Sequence, residues 1–134
     1  MCIRDRESNT PRARLKRARL LAQRQLKEAM SDKKQSLHGK SVNRMTTALL
    51  SYLEERTGRR LTTLTRTGLR RTLKECDLAD NDIEKIFNVL SKNDAASYAS
   101  VSTSAQEFDG CLKETEQLLK HFESIHMTYL EEGQ

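Results

Sequence analysis

The scarcity of turn-forming residues is the feature that most restricts the fold of this chain. Its 134 residues include one proline and five glycines. A β-sandwich or barrel needs a turn about every 8–12 residues, and proline and glycine are the residues that most often provide one. The same scarcity excludes collagen-like and proline- and glycine-rich disordered classes. We therefore predict an all-α protein.

Length and apolar composition indicate one modest core. The chain has room for one domain, or for one small domain with a tail. Aromatic residues make up only 4% of it and there is no tryptophan, so the core must consist mainly of Leu, Ile, Val, Met and Ala. No window approaches the roughly 18 apolar residues that a membrane span needs, and no apolar h-region follows the N-terminus. We expect the chain as given to be soluble and to carry no export signal.

Apolar periodicity predicts five helical segments. The first runs from about Pro11 to about Asp32, and its apolar stripe is weak because small residues occupy part of it. We expect this helix to project from the domain. The second has a strong stripe with a period of about 3.6 and ends before Gly58, where a left-handed cap is expected. The first stripe is Leu15, Ala18, Ala22, Leu26 and Met30, and the second is Val42, Met45, Leu49, Tyr52, Leu53 and Arg56.

Capping residues place the other three helices. The third begins after Thr65, although Gly68 is an unfavourable helical residue. The fourth opens at Asp80, with further carboxylates in its first turn that complement the helix dipole. A capping box, Ser104–Glu107, starts the last and clearest helix. Its stripe is Phe108, Cys111, Leu112, Thr115, Leu118, Leu119, Phe122, Ile125, His126 and Tyr129.

These segments divide the chain into three parts. Residues 1–10 have no periodicity, and we expect them to be a non-native or disordered leader, with the true protein continuing upstream. Residues 11–36 form a basic helix or linker of the kind found next to membranes. Residues 37–134 make a small antiparallel bundle of about four helices joined by short turns. We expect this bundle to remain folded when residues 1–34 are removed.

Charge is distributed unevenly along the chain. Residues 1–71 contain 19 basic and 6 acidic side chains, whereas residues 72–134 contain 5 and 13. Residues 12–27 carry seven positive charges and no negative one. Such a segment binds nucleic acid or an anionic membrane surface, and it also follows transmembrane helices on their cytoplasmic side. A solvated basic face without a ligand is an equal alternative. The candidate binding residues are Arg12, Arg14, Lys16, Arg17, Arg19, Arg24 and Lys27.

The residue patterns that metal binding and catalysis require do not occur. His121 and His126 are five residues apart, so their imidazoles diverge on a helix, and the second is better explained as a partly buried helix residue. Cys2, Cys76 and Cys111 are odd in number and widely separated, which favours reduced thiols in a cytosolic compartment. The chain has no phosphate loop, dinucleotide fingerprint or nucleophile elbow. We predict no enzymatic activity, no cofactor and no bound metal.

The third and fourth helices have the proportions of a helix-turn-helix. The fourth would be the recognition helix, yet its first turns carry Asp80, Asp82 and Glu84, which phosphates repel. The basic side chains lie instead on the third helix, and the basic segment has no aromatic residue for base stacking. These observations argue against sequence-specific DNA binding.

One stretch of the chain has a recognisable order of packing and capping motifs. Residues 45–58 read MTTALLSYLEERTG, residues 64–69 read LTRTGL and residues 93–99 read NDAASYA, with Leu73, CDL at 76–78, Ile83, Ile86 and Leu90 between them. This order resembles the C-terminal cytoplasmic region of the BatD family, the oxygen-tolerance proteins of bacterial Bat operons. The resemblance covers about residues 12–130. Gly68 departs from the family pattern, in which an acidic residue is more common, and the family's periplasmic β-domains and membrane span are not in this sequence.

The resemblance implies a membrane-anchored accessory protein without catalytic activity. Its helical domain would be an interaction module on the cytoplasmic face of the bacterial inner membrane, with a role in oxygen or stress tolerance. The implied partners are Bat proteins with von Willebrand factor A domains and a MoxR-type AAA+ ATPase. The full-length protein is expected to cross the membrane once, and this chain would be a fragment of it. The alternative is a small soluble basic protein that binds nucleic acid through residues 12–27.

Overall fold

The computed structural model describes residues 10–34, 38–98 and 105–130, and all regular secondary structure in these ranges is helical. The predicted all-α fold class is therefore confirmed. Of the predicted leader only Thr10 is described, and Ser104 of the predicted capping box lies outside the described residues. The helices are α1 (Pro11–Lys34), α2 (His38–Thr57), α3 (Arg66–Glu75), α4 (Asp80–Tyr98) and α5 (Ala105–Phe122).

α2 is the central helix, because it packs against α1, α4 and α5. α1 runs antiparallel to α2, and α4 runs antiparallel to α5, while the short α3 packs against α4. The ion pairs between these helices show the antiparallel directions, because a residue near the start of one helix pairs with a residue near the end of the other. The pairs are Glu28–Arg44 and Arg17–Glu55 between α1 and α2, and Asp82–His121 and Lys92–Glu114 between α4 and α5.

Two clusters of buried side chains form the core. The larger cluster surrounds the C-terminal half of α2, where the rings of Tyr52 and Phe122 stack with their centroids 6.3 Å apart. The smaller cluster surrounds the N-terminal half of α2 and brings Met45 together with Phe108 of α5. The predicted inward face of α2 is confirmed, since its five apolar members are all at most 1% exposed: Val42, Met45, Leu49, Tyr52 and Leu53.

The two ends of α3 are closed by different caps. Thr65 is the N-cap, as predicted, and its side-chain oxygen accepts the amide of Gly68 at 3.1 Å. Gly68 thus supplies the donor that the cap requires. At the other end Asp77 has a left-handed φ of 64°, its amide donates to Lys74, and the amide of Leu78 donates to Leu73. This is a Schellman arrangement with aspartate in the place that glycine usually takes.

The predicted left-handed cap of α2 is present at Gly58. Its φ is +75°, and its amide donates to the carbonyl of Glu54 at 2.8 Å. A side chain is also excluded here by space, because a Cβ atom on Gly58 would lie 2.7 Å from the ring of Tyr129. Glycine is therefore required for two independent reasons, backbone conformation and close approach.

α1 does not project from the bundle, so that expectation is wrong. Ala18 and Ala29 are fully buried and Ala22 is 3% exposed, because small side chains allow α1 to approach α2 closely. Met30, which was expected on the inward stripe, is 49% exposed, and Ala29 takes the inward position instead. α1 is thus an integral helix of the fold.

α5 ends at Phe122, seven residues before the predicted apolar stripe does. The chain turns at residues 123–125 and continues without helical structure to residue 130. We call residues 123–130 the C-terminal strap. Its amides hydrogen-bond to the ends of two other helices, from Thr128 to the carbonyl of Cys76 at 3.0 Å and from Leu130 to the carbonyl of Thr57 at 2.7 Å.

Removal of residues 1–34 is expected to destabilise the remaining chain. It exposes the face of α2 that α1 covers, and a loss of about 3 kcal/mol or more follows from the apolar area returned to water. Thermal unfolding followed by circular dichroism measures the change, with a chain that lacks only residues 1–9 as the control. An unchanged melting temperature after removal of residues 1–34 would show that α1 contributes nothing to the fold.

Phe122→Ala is expected to lower the free energy of unfolding by about 3–5 kcal/mol. Phe122 is fully buried and stacks on Tyr52, so the substitution leaves a cavity at the junction of α2 and α5. Leu20→Ala, at a side chain that is 51% exposed, is the control and should change stability little. Urea titration gives both values, and similar values for the two variants would refute this placement of the core.

Candidate functional site

The seven cations predicted to bind a polyanion all lie on α1, but the structure divides them into two sets. The sets differ in the direction in which the helix presents them and in what they contact. One set joins α1 to the rest of the fold. The other set faces outward.

Arg14, Arg17 and Arg19 form the set that joins α1 to the fold. The guanidinium of Arg14 lies 4.1 Å from the centroid of the Tyr129 ring, which is a cation–π distance. Arg17 pairs with Glu55 of α2 at 3.5 Å, and Arg19 donates to the carboxylate of Glu123 at 2.6 Å. These ion pairs are partly exposed, so each contributes little to stability. Together with the cation–π contact of Arg14, they give three of the seven cations a partner inside the protein.

Arg12, Lys16, Arg24 and Lys27 form the outward set. All four are exposed, and none pairs with an acid among the described residues. Their spacing of four, eight and three residues places them on one side of α1, opposite the buried alanines. Leu20 falls between Lys16 and Arg24 on the same side and is 51% exposed. We call these five residues the outer stripe.

The outer stripe combines separated positive charges with an exposed apolar side chain. Met30, at the same side of the helix three residues after Lys27, adds a second exposed apolar group. The long aliphatic stems of lysine and arginine cover apolar surface while their charged ends remain in water. A helix face of this kind suits a surface that has anionic groups above an apolar layer.

The basic residues of α3 are placed differently. Arg70 pairs with Glu84 at 2.5 Å and lies over the ring of Phe87, and Arg66 pairs with Asp94 at 2.8 Å. Three of the four cations on this helix therefore have acidic partners on α4, the third being Lys74 with Asp80 at 3.5 Å. These ion pairs join α3 to α4 and reduce the positive potential that α3 presents to solvent.

The histidines do not share a site. Nε2 of His121 lies 2.9 Å from the Oδ1 atom of Asp82, which joins α5 to the first turn of α4. His126 lies in the C-terminal strap and is exposed, so the prediction that it is a partly buried helix residue is wrong. The helix ends before it. Among the described residues, no three His, Cys, Asp or Glu side chains form a group that could hold a metal ion.

Cys76 and Cys111 are free thiols in the core, and Cys2 lies outside the described residues. Burial raises the pKa of both thiols above the ordinary value, because the thiolate is poorly solvated there. Neighbouring charges make smaller contributions. These cysteines therefore lack the electropositive, accessible surroundings that make a thiol reactive.

Apolar periodicity did not predict the two larger concave regions that border α1. One is a cleft of about 510 Å³ between α1 and α5, with Leu26, Tyr52 and Leu119 in its walls. The other is a cavity of about 550 Å³ between the start of α1 and the C-terminal strap. The cleft between α1 and α5 could have been predicted from the alanines on the inward side of α1, since their small side chains allow α1 to pack against the bundle. The second cavity exists because α5 ends at Phe122. It could not be predicted, because the apolar pattern continues past that residue to Tyr129.

The chain has no match among family models, curated proteins or solved structures.

The described helices do not include a membrane-spanning segment. None of those in residues 10–34, 38–98 and 105–130 is both long enough and apolar enough to cross a membrane.

Cys76 and Cys111 are expected to react with iodoacetamide at least about tenfold more slowly in the native protein than in concentrated urea, because they are buried and their thiolates are disfavoured. Mass spectrometry of the alkylated chain gives the rate at each cysteine. The raised thiol pKa values also make stability depend on pH. Their contribution to the free energy of unfolding is fully present below the thiol pKa of the unfolded chain, and it is lost as the pH rises through the higher thiol pKa of the folded protein. Equal rates in native and denatured protein would contradict the burial of these thiols.

Proposed function

We propose that this chain is a non-catalytic interaction domain of a BatD-like membrane protein. It lies at the cytoplasmic face of the bacterial inner membrane, and its outer stripe rests against anionic lipid headgroups. The role in oxygen or stress tolerance belongs to the same proposal and is supported by the resemblance of residues 12–130 to that family.

The observation that carries the proposal is the outer stripe. Four cations on one side of α1 are exposed without acidic partners among the described residues, while the other three candidate cations are held by the fold. Each cation close to an anionic leaflet contributes about 1 kcal/mol of attraction. The exposed side chain of Leu20 lies within the stripe, where it can enter the boundary between headgroups and acyl chains.

The placement of α1 leaves other surfaces of the domain available to protein partners. α4 packs against α2 and α5, so contact of α1 with a membrane does not cover it. In this proposal Bat proteins with von Willebrand factor A domains and a MoxR-type ATPase bind the side of the domain that faces the cytoplasm. These partners are implied by the family resemblance.

Replacement of Lys16, Arg24 and Lys27 by glutamine should weaken binding to vesicles that contain phosphatidylglycerol by about 100-fold, at about 1 kcal/mol for each charge. Sedimentation with vesicles at physiological ionic strength measures the affinity. Added salt should weaken the wild-type interaction, because screening reduces the attraction. The three positions are exposed, so the fold should be unaffected.

A matched control removes the same number of charges elsewhere. Arg71, Lys113 and Lys120 are exposed cations on α3 and α5, and their replacement by glutamine should change vesicle affinity much less. Equal losses in the two triple variants would mean that only net charge matters and would contradict a defined membrane-facing side. Vesicles of phosphatidylcholine alone should bind neither variant nor the wild-type chain.

The nucleic-acid alternative is tested with the same proteins. The wild-type chain is titrated with duplex DNA and with single-stranded RNA at the same ionic strength. Tight binding to nucleic acid that is lost in the outer-stripe variant, together with no binding to anionic vesicles, would replace the membrane proposal by the alternative.

A further inference from the structure

The cleft between α1 and α5 is an elongated site with an apolar lining. α1 and α5 both pack against α2, and Tyr52 of α2 lines the cleft between them. Along α5 the cleft extends from Lys113 to Lys120, about 10 Å of helix, and it continues to Glu123. Its volume of about 510 Å³ is in the range of small-molecule sites. The apolar lining consists of Ala22, Leu26, Tyr52 and Leu119.

An ion pair spans one end of the cleft. Arg19 of α1 donates to the carboxylate of Glu123, directly after α5, at 2.6 Å. Gln23 of α1 and Gln117 of α5 line the cleft as well, and neither side chain makes a hydrogen bond within the part of the chain that the structure describes. The two helices are therefore joined across the cleft at the Arg19–Glu123 end, and polar groups on both rims remain available to a ligand.

Tyr52 has a hydrogen-bond donor that the described residues do not use. Its hydroxyl accepts a hydrogen bond from Arg56 at 3.0 Å, and its ring stacks on Phe122, so the side chain is held in place. A tyrosine hydroxyl can also donate, but no described residue accepts this proton, although Tyr52 is only 1% exposed. A ligand oxygen in the cleft would supply the acceptor.

This donor lies at the end of the cleft that the ion pair spans. Burial raises the pKa of Tyr52, so the hydroxyl keeps its proton at neutral pH. Arg56, Glu123 and Arg19 have smaller effects on the same pKa, which places the hydroxyl near the ion pair. Lys120, one turn before Glu123, is exposed and also lines the cleft. A hydroxyl donor and an ammonium donor are thus present at one end of the apolar lining.

The charged groups that line the cleft leave a net charge of one. Arg19 and Glu123 neutralise each other in their ion pair. Of the remaining three, Lys113 and Lys120 are positive, and Glu116 between them on α5 is negative. A monoanion matches this balance, whereas a cation does not.

We propose that the cleft binds a fatty acid of medium chain length. Its carboxylate accepts hydrogen bonds from the hydroxyl of Tyr52 and the ammonium group of Lys120, and charge-assisted hydrogen bonds of this kind are stronger than those between neutral groups. Its hydrocarbon chain lies along Leu119 and Leu26. This site does not depend on the membrane proposal, because the outer stripe contributes no side chain to the lining of the cleft.

The test is a titration with decanoate below its micelle concentration, followed by nuclear magnetic resonance of the ¹⁵N- and methyl-¹³C-labelled chain. Saturable shifts are expected at the methyl groups of Leu26 and Leu119 and at the amides of residues 116–123. Hexanoate should bind at least about tenfold more weakly, because each buried methylene contributes to affinity. Decyltrimethylammonium has the same chain with a cation in place of the carboxylate, and it should also bind at least about tenfold more weakly, because it cannot accept a hydrogen bond.

Two substitutions test the carboxylate end of the site. Tyr52→Phe removes the donor and retains the ring, so decanoate should bind about tenfold more weakly. Gln23→Glu places a negative charge on the exposed rim without altering the core, and it should weaken the binding of decanoate but not that of decyltrimethylammonium. Gln106→Glu adds the same charge near the start of α5, outside the cleft, and is the matched control. Melting temperatures show whether each variant retains the fold.

The outcomes separate a carboxylate site from other kinds of binding. Decanoate shifts that are confined to the cleft and weakened by Gln23→Glu, but not by Gln106→Glu, support the proposal. No saturable shift would overturn it, and so would shifts spread over the whole surface, which indicate detergent-like binding. Equal affinities for decanoate and decyltrimethylammonium would also overturn it and would identify a site for apolar chains of any charge.

The membrane proposal is tested separately. The variant with glutamine at positions 16, 24 and 27 should bind decanoate as tightly as the wild-type chain does, since these positions lie outside the cleft. A chain that binds decanoate but not anionic vesicles would contradict the membrane proposal alone. A chain that binds vesicles but not decanoate would contradict the fatty-acid proposal alone.

Discussion

The contacts of Arg56 at the end of α5 determine how the rest of the chain is arranged. Its guanidinium group donates to the carbonyls of Phe122 and Ile125, where a helix end leaves acceptors without intrahelical partners. A cation at this position also complements the negative end of the helix dipole. The same group donates to the hydroxyl of Tyr52 one turn earlier on α2. Arg56 thus joins the central helix to the end of α5 and marks the point where the chain turns into the C-terminal strap.

The C-terminal strap depends on that turn and connects three parts of the protein. Its backbone amides donate to carbonyls at the ends of α2 and α3, and Tyr129 lies close to Gly58 and stacks with Arg14 of α1. Because α1 is held by Tyr129 and by its inward alanines, its orientation is determined. The outer stripe faces solvent for this reason. The direction of the outer stripe and the cavity beside the C-terminal strap are therefore consequences of one packing arrangement.

Local signals in the sequence were sufficient to predict much of the fold. The hydroxyl of Thr65, the glycine at residue 58 and the carboxylates after Asp80 each act within one turn of a helix, so no knowledge of distant residues was needed. The inward face of α2 was predictable because its large apolar side chains repeat with the helical period. The same reasoning located the seven cations of α1 without showing which of them would be free to meet a ligand.

The errors occurred where distant residues decide the outcome. Ile125, His126 and Tyr129 continue the helical spacing of α5. The helix ends before them because Arg56, far away in sequence, donates to the carbonyls at the helix end. These three residues therefore lie in the C-terminal strap. α1 was expected to project because alanine contributes little apolar area, whereas its small size is what allows close docking. The division of the cations follows from Glu55, Glu123 and Tyr129, whose positions only the tertiary structure gives.

The central claim is that one defined side of the domain, the outer stripe of α1, meets an anionic membrane. Paramagnetic relaxation of amide protons by gadolinium-chelating lipids, measured with the chain bound to phosphatidylglycerol nanodiscs, tests it most directly. The account predicts the strongest relaxation at residues 16–27 and the weakest on the outer side of α4, near Asn88 and Ser91. Uniform relaxation over the surface, or a maximum on α3 or α4, would contradict it.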